Sequence, residues 1–378
     1  MKYRQFGDLN WKASALGFGT MRLPLKDDNP DNIDEEKAIN MIRYAIDQGV
    51  NYIDTAWPYH KEMGEIVVGK ALKDGYRQKV KLATKLPSWL IEKEEDIDKY
   101  LNKQLEKLQT DHIDFYLLHT LNKKHWANLK SINTLSVLEK MRKQGKIDYI
   151  GFSFHDDLKL FKKIVNYYNW DFCQIQYNYI DIDFQAGVQG LKYAASEGLP
   201  VVIMEPLRGG TLANTPPSSI QKIFAEAPVK RSPVDWALQW LWNQPQVSVV
   251  LSGMSKLKEV KENIKSASKS GIDSLSEKEL NIIDKAGKKY REISPIGCTG
   301  CGYCMPCPNN VHIPINFQMY NEAKIYNMYD KKQKEYNNRI NEKQQAASCI
   351  ECGKCEDKCP QNLEISKLMP KVAEYFAD

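Results

Sequence analysis

The sequence predicts an α/β protein, a (β/α)8 TIM barrel followed by a small, mostly helical domain. Two observations carry this prediction. Between residues 14 and 268, short apolar runs alternate with longer amphipathic runs, and eight of the nine cysteines lie between residues 298 and 359. A chain of 378 residues is long enough for one large domain and a second small one.

The apolar runs have the length and β-branched content of buried strands. Helical patterns separate them, such as residues 34–49, where Asp34 is the expected N-cap and Gly49 the helix stop, and residues 94–109. Eight βα units fit a closed barrel better than a doubly wound sheet, although an eight-stranded open sheet is the alternative. The eight runs are SALGFGT, VNYIDTA, VKLATKL, IDFYLLH, IDYIGFS, FCQIQYN, LPVVIME and VSVVLSG.

The segments outside these units complete the predicted organisation. Residues 1–12 have the pattern of an extra hairpin before the barrel, and residues 273–293 that of a further helix. Pro295 then interrupts the chain ahead of the cysteines. We therefore predict a barrel domain over residues 1–290 and a second domain over residues 291–378.

The composition excludes several classes of function. The 53 basic and 48 acidic residues give a formal net charge of +5 without long runs of one sign, which argues against a nucleic-acid-binding protein. No run approaches eighteen apolar residues, so we expect no membrane association, and the N-terminus lacks a secretory pattern. We expect a cytoplasmic protein, in which clustered cysteines bind metal more often than they form disulfides.

Four polar residues lie at or just after predicted strand ends: Asp54, Tyr59, Lys85 and His119. Strand ends of a barrel meet at one open mouth, where active sites lie. A buried lysinium needs a counter-charge, for which Asp54 is the candidate. A lysinium beside a phenol favours the phenolate, so Tyr59 becomes a usable proton donor to a developing alkoxide, and His119 can hydrogen-bond the same oxygen. Each residue taken alone also fits a structural role.

With these four residues and the motifs around them, the sequence resembles the aldo-keto reductases. These are barrel enzymes that pass hydride between a nicotinamide dinucleotide and a carbonyl. The resemblance spans residues 3–268 and implies that the four residues form a catalytic tetrad, with Tyr59 as general acid. It rests on ALGFGTMRLP, GVNYIDTAWPY, ATKLP, YLLH, GFSFHD, QIQYN, MEPLRGG and LSGMSKLKEVKEN.

The resemblance also implies a site for NADP or NAD. Ser153 and Gln174 would hold the nicotinamide carboxamide, Phe154 stands where the family usually has Asn, and Met204 replaces the aromatic residue that stacks on the ring. PLRGG and SGMS would wrap the diphosphate. The implied cofactor-binding residues are Gly19, Thr20, Met21, Asp54, Ser153, Gln174, Met204, Pro206, Leu207, Gly209, Ser252, Gly253, Ser255, Glu259, Glu262 and Asn263.

The choice between NADP and NAD depends on the alignment near residue 259. Gly253 and Glu259 stand where the family has cations for the 2′-phosphate, and a carboxylate there repels a phosphate, which favours NAD. A shift of two or three residues would instead bring in Lys256 or Lys258. Candidates for the substrate pocket by position are Met21, Trp57, Trp89, Trp126 and Phe154, with core packing as the alternative for each aromatic residue.

The cysteines form two runs. The second has the spacing C-x2-C-x2-C-x3-C-P of bacterial ferredoxins, and the first has one residue fewer before its last cysteine. Three cysteines of each run would bind one 4Fe-4S cluster and the fourth the other cluster, as in dicluster ferredoxin-like domains. Two structural zinc sites are the alternative. The predicted ligand sets are Cys298, Cys301, Cys304 and Cys359 for one cluster, and Cys349, Cys352, Cys355 and Cys307 for the other.

Two hypotheses about function follow. The first is an NAD(P)H-dependent oxidoreductase that interconverts a carbonyl and an alcohol, with a small-molecule carbonyl substrate. The alternative is an electron-transfer protein whose clusters exchange electrons with a ferredoxin or another redox partner, the barrel being a docking or sensing body. A third reading makes the clusters purely structural.

Overall fold

The computed structural model describes residues 1–27 and 32–377. Strands β3 to β10 pair in parallel, each with the next along the chain, and β10 pairs with β3, so the sheet closes. The predicted (β/α)8 barrel is confirmed, each of the eight apolar runs contains one strand, and the open-sheet alternative is wrong. The strands are β1 Tyr3–Gln5, β2 Lys12–Ser14, β3 Leu16–Gly19, β4 Tyr52–Asp54, β5 Lys81–Leu86, β6 Ile113–Leu121, β7 Ile147–Phe154, β8 Phe172–Gln176, β9 Val201–Met204 and β10 Val247–Gly253.

Helices follow the barrel strands as the amphipathic runs predict. Asp34 caps the first helix by accepting a hydrogen bond from the Lys37 amide at 3.2 Å, and Gly49 ends it with a φ of 92°. The helices are α1 Glu35–Asp47, α2 Gly64–Ala71, α3 Glu94–Leu108, α4 Lys123–Ser131, α5 Thr134–Lys143, α6 Leu158–Val165, α7 Gly187–Ser196, α8 Ser218–Ala225, α9 Pro233–Trp242, α10 Leu257–Ala267, α11 Glu277–Ile293, α12 Ile313–Tyr326, α13 Tyr329–Arg339 and α14 Ile365–Phe376.

The predicted N-terminal hairpin is confirmed, because β1 pairs antiparallel with β2. Between the two strands, the fully buried Phe6 packs on Tyr52, Phe115 and Phe172, with a centroid distance of 5.1 Å to the Phe115 ring. Tyr52 and Phe172 are the first residues of β4 and β8. Phe6 therefore closes the end of the barrel where strands begin, which leaves the opposite end to the βα loops.

Contacts divide the chain into two compact units. The first contains residues 1–206 and 235–275, and the second contains residues 207–234 and 276–378. The second unit thus includes the loop after β9 and helices α8 and α11 as well as the cysteine-rich segment. Within it, Lys285 of α11 lies 3.5 Å from Glu226 at the end of α8. The domain boundary near residue 290 stays a prediction.

The two cysteine runs fold as an internal repeat. In both runs the amide two residues after the first cysteine donates to its sulfur at 3.4 Å, from Gly300 to Cys298 and from Glu351 to Cys349. The same residues have positive φ, 68° at Gly300 and 53° at Glu351. Both loops therefore have a left-handed backbone conformation at this position. The second loop adopts it with Glu351 in place of a glycine.

The repeat continues past the fourth cysteine of each run. Asn310 and Asn362 have φ of 62° and 52°, and their amides donate to the carbonyls of Cys307 and Cys359, each at 3.1 Å. A helix follows each turn, α12 after the first and α14 after the second. Both helices contribute to one apolar core, which includes Val311, Ile313, Phe317, Met319, Ala323, Ile365, Met369, Val372 and Phe376.

We expect Phe6→Ala to lower the free energy of unfolding of the barrel by about 3–5 kcal/mol, because it leaves a cavity among buried rings. Lys12→Ala, on the exposed face of the same hairpin, is the control and should change it by less than about 0.5 kcal/mol. Urea unfolding measures both variants. Equal effects would contradict the closing role of Phe6.

We expect Glu351→Gly to stabilise the cysteine-rich unit by up to about 1 kcal/mol, because glycine adopts a φ of 53° without the cost that Glu351 pays. Thermal unfolding of the anaerobic protein measures the change. Lys354→Gly, at another exposed position of the same run, should not stabilise. A loss of stability in Glu351→Gly would contradict the strain argument.

Candidate functional site

A buried ion pair lies at the ends of β4 and β5. Lys85 Nζ donates to Asp54 Oδ1 and to the Thr55 carbonyl, each at 2.7 Å, and the two side chains are 1% and 3% exposed. Burial raises the pKa of Asp54 and lowers the pKa of Lys85, and the ion pair opposes both shifts. The structure therefore brings together the lysine and the counter-charge that the sequence predicts.

Tyr59 lies beside this pair. Lys85 Nζ is 5.2 Å from the centroid of the Tyr59 ring, and the ring is partly open to solvent. The turn after Tyr59 is strained, because His60, Lys61 and Glu62 have φ of 51°, 48° and 73° in succession. Such a turn persists only when its surroundings hold it, so the backbone that carries Tyr59 is fixed.

His119 is aimed at the same place by an irregularity in β6. The pairing of β6 with β7 shifts between Leu118 and Leu121, and Thr120 has a φ of 56°. The His119 ring lies edge-on to the Tyr59 ring at a centroid distance of 6.4 Å. Burial, with the Lys85 charge next, lowers the pKa of His119 well below its usual value, so the ring is neutral at pH 7. The structure thus assembles all four predicted residues.

A buried polar network that the sequence analysis missed lies behind Lys85. Glu65 of α2 accepts hydrogen bonds from Thr84 and from Gln104 of α3, each at 2.6 Å. Gln104 also donates to the Lys85 carbonyl at 3.1 Å and accepts from Tyr116. Burial raises the pKa of Glu65. One sequence signal could have indicated this network. Glu65 is an acidic residue in the otherwise mostly apolar stretch GEIVVGKA, and hydropathy alone does not explain it.

Three of the aromatic residues predicted to line a substrate pocket separate into two groups. The Trp89 ring lies 5.2 Å from that of His119, and its side chain is 37% exposed, so it borders the four-residue cluster. Phe154 is fully buried against Phe161, and Trp126 packs edge-on against Tyr167. Phe154 and Trp126 are therefore packing residues, and their prediction as pocket residues is wrong.

Several predicted cofactor-binding residues of the barrel lie at its strand ends. Thr20, after β3, donates from its amide and hydroxyl to the Asp54 carbonyl at 2.9 and 3.0 Å. Ser153 of β7 accepts from the Thr120 amide at 2.8 Å. Gln174 of β8 is buried, and its Oε1 accepts no hydrogen bond from the residues that the structure describes. A buried amide oxygen without a donor fits the NH2 group of a carboxamide.

The start of α10 carries Ser255 and Glu259. The Glu259 carboxylate accepts from the amides of Ser255 and Lys256 at 2.8 and 3.2 Å, as a helix-capping carboxylate does. Behind it, Asn263 donates to Ser252 at 3.1 Å, with both side chains buried. Glu262 is exposed on α10 and lies 3.7 Å from Lys258.

The remaining predicted cofactor-binding positions lie at or just after strand ends. Gly19 and Gly253 end the paired strands β3 and β10, and Met21 follows β3. Arg22 packs its aliphatic carbons on Gly253, a cation that the sequence analysis did not consider. Met204 ends β9. In the second unit, Leu207 accepts from the amides of Gly210 and Leu212, so the segment after Pro206 forms a tight turn that includes Gly209.

The cysteine-rich unit groups the thiols as the spacing predicts. One cavity is lined by Cys307, Cys349, Cys352 and Cys355, which is the second predicted ligand set. It joins three cysteines of one run to the fourth of the other. Four thiols around one cavity fit a cubane cluster.

The other set surrounds Cys304. Burial raises the pKa of this thiol most and Cys355 of the other set raises it least, and between them in effect stand the thiols of Cys301, Cys298 and Cys359. Those three are the other members of the first predicted set. Bringing four thiolates together without a cation is unfavourable, so this arrangement also fits a metal cluster.

A larger cavity of about 1060 Å³ lies away from these sites, beside the starts of β5 and β6. It contains His112 and Asp114, which with Asp148 could in geometry hold a cation. Asp114 already has ion pairs to Arg77 at 2.7 Å and Lys81 at 2.6 Å. These cations account for the acidic residues, and we assign the cavity no catalytic role.

Among the described residues, no helix is both long and apolar enough to cross a membrane.

Comparison with known proteins gives two domain matches. Residues 15–288 match the Aldo/keto reductase family, and residues 297–363 match a 4Fe-4S dicluster domain. The second match favours iron–sulfur clusters over the zinc alternative.

Relatives and solved structures agree with these matches. Probable aldo-keto reductase 1 of Glycine max is 27% identical over 76% of this chain and 91% of its own length, and the aldo-keto reductase YhdN of Bacillus subtilis is 26% identical over 68% and 86%. The holo form of an aldo-keto reductase from Bacillus halodurans is 29% identical, with a TM-score of 0.64 over 76% of this chain and 96% of its own. The chain is a member of the aldo/keto reductase family that carries a C-terminal 4Fe-4S dicluster domain.

Proposed function

We propose that the protein interconverts a carbonyl and an alcohol by hydride transfer with NADH or NADPH. The observation that carries this proposal is the Lys85 ammonium, 2.7 Å from Asp54 and 5.2 Å from the Tyr59 ring. This arrangement supplies a polarised proton donor at the open end of the barrel. The fit of Gln174 to a carboxamide supports the nicotinamide cofactor.

The chain's own residues would act on the carbonyl oxygen. A nicotinamide dinucleotide, when bound, would supply the hydride for the carbonyl carbon. Tyr59 donates its hydroxyl proton to the oxygen, and the Lys85 ammonium stabilises the phenolate that remains. His119 donates a hydrogen bond to the same oxygen. Because burial lowers its pKa, the ring carries no extra proton at pH 7 that it could transfer in place of the Tyr59 proton. The Trp89 ring lies 5.2 Å from the His119 ring, at the edge of the site.

We expect Tyr59→Phe to lower kcat/KM for aldehyde reduction by about 10³-fold, because it removes the proton donor and keeps the ring. Dinucleotide affinity should stay within about twofold, measured by quenching of protein fluorescence. Tyr76→Phe, at a surface tyrosine bonded to Asp47, is the matched control. Turnover by Tyr59→Phe at the wild-type rate would refute the assignment.

We propose a preference for NAD(H) over NADP(H). By family resemblance, a 2′-phosphate would lie at the start of α10, where the Glu259 carboxylate already takes the amides of Ser255 and Lys256. A phosphate would have to displace a like charge from these donors. The hydrogen bonds that hold the Glu259 carboxylate at the start of α10 support this proposal.

We expect Glu259→Gln to raise the ratio of kcat/KM for NADPH to that for NADH by about tenfold, equivalent to about 1.4 kcal/mol. The glutamine keeps an acceptor for the capping bonds and removes only the charge. Glu277→Gln, in the first turn of α11, is the control for a general effect on a helix terminus. An unchanged ratio would show that Glu259 does not select the cofactor.

The electron-transfer function remains a second candidate, favoured by the two complete thiol sets. A bound 4Fe-4S cluster would exchange single electrons, whereas hydride carries two. The second set is the more open one, because Cys352 is exposed and Ile350 beside it is 63% exposed. If this function holds, a ferredoxin-type partner should reduce or oxidise the clusters without any carbonyl substrate.

A further inference from the structure

The loop proposed to bind the dinucleotide diphosphate touches the loop of the first cysteine run. Gly209 has a φ of 66°, and a Cβ placed there would lie 2.0 Å from the carbonyl oxygen of Thr299 and 3.0 Å from its Cα. Thr299 directly follows Cys298 and is 4% exposed. The two backbones are therefore in direct contact, at a distance that only glycine permits.

The residue before Gly209 adds a charge to this contact. Arg208 has a φ of 48°, and its Nη2 lies 3.7 Å from the position that a Cβ on Gly297 would occupy. Gly297 directly precedes Cys298. The guanidinium thus lies near Gly297, directly before the residue that carries the first thiol of this run.

Helix α12 makes hydrogen bonds close to both loops, and all the residues involved belong to the second unit. The side chain of Asn321 in α12 donates to the Ile296 carbonyl at 2.7 Å and accepts from its amide at 3.1 Å. Tyr326 of the same helix donates to the Thr215 carbonyl at 3.0 Å. One helix therefore contacts the chain near both loops, at Ile296 before the first cysteine run and at Thr215 after Gly210.

We propose that residues 297–301 position residues 206–210 for the dinucleotide, so that dinucleotide binding and the redox state of the first cluster are coupled. The inference rests on the proposed function and on the family resemblance, which implies that PLRGG, residues 206–210, wraps the diphosphate. Reduction adds one electron from an external one-electron donor and breaks no bond. The added negative charge on the first cluster would lie near the bound diphosphate. The Arg208 guanidinium would lie near both of these anions.

The sign of the coupling follows from this charge. Reduction weakens binding of the diphosphate, and by thermodynamic reciprocity the bound diphosphate makes the first cluster harder to reduce. Because Arg208 offsets part of the repulsion, we expect a modest effect. A threefold change in affinity corresponds to about 28 mV for a one-electron couple, since tenfold corresponds to about 59 mV.

The test uses the anaerobic full-length protein with both clusters assembled. ADP-ribose is the probe, because it carries the diphosphate and cannot transfer hydride. A dithionite titration followed by electron paramagnetic resonance gives two midpoint potentials, with and without saturating ADP-ribose. We expect one potential to fall by about 28 mV and the other to stay fixed, and ADP-ribose to bind about threefold more weakly after reduction, measured by calorimetry.

Two adjacent glycines provide matched variants. Gly209→Ala places a methyl group into the Thr299 backbone, whereas Gly210→Ala, with a φ of 96°, meets no heavy atom of the described residues within 4 Å. Both variants carry backbone strain, and only the first disturbs the contact. Without any dinucleotide, Gly209→Ala should alter the resonance spectrum or the potential of one cluster, and Gly210→Ala should leave both clusters unchanged.

The outcomes separate this inference from the proposed function. Binding of ADP-ribose with both potentials unmoved would overturn the coupling and leave the function standing. Equal effects of the two alanine variants on the clusters would also overturn it. If neither NADH, NADPH nor ADP-ribose binds the wild-type protein, the proposed function and the coupling both fail.

Discussion

The ion pair between Lys85 and Asp54 is the interaction on which the proposed site depends. Two charges that are almost fully buried are costly unless they are paired, and removal of one partner from such a pair typically costs about 3–5 kcal/mol. The pair fixes the ends of two adjacent strands, β4 and β5, relative to each other. It also places a cation beside Tyr59, so the same interaction serves both stability and the proposed proton transfer.

The surroundings of the pair show how the barrel supports it. Gln104 donates to the Lys85 carbonyl, and Glu65 accepts from Gln104. The strained turn after Tyr59 and the bulge at Thr120 both store unfavourable backbone conformations at the mouth of the barrel. Strain of this kind is retained where it orients a side chain, here Tyr59 and His119.

The cysteine-rich unit is built on a different constraint. Its core is small, and its two thiol loops depend on positive φ and on amide–sulfur hydrogen bonds more than on regular structure. Metal binding is therefore expected to contribute directly to the stability of this unit. Residues 207–234 follow the barrel strand β9 in the sequence, but they belong to the same compact unit as the two thiol loops.

Periodicity was sufficient to predict the barrel and its eight strands, and cysteine spacing predicted one set of four cysteines that the structure places around a single cavity. These features are local, because strand runs and cysteine intervals can be read within a few residues. The predicted pocket roles of Phe154 and Trp126 were wrong, since the face on which an aromatic ring packs depends on neighbouring helices. Glu65, Arg22 and the contact of Gly209 with Thr299 join residues far apart in the chain, so no local pattern indicates them.

The most direct test of the account follows the hydride itself. The protein is incubated anaerobically with small aldehydes and with NADH or NADPH that carries deuterium at the transferable C4 position, and the alcohol is analysed by mass spectrometry. The account predicts one deuterium at the carbinol carbon of the product. Oxidation of the nicotinamide with reduction of the clusters, and no deuterium in any alcohol, would contradict it.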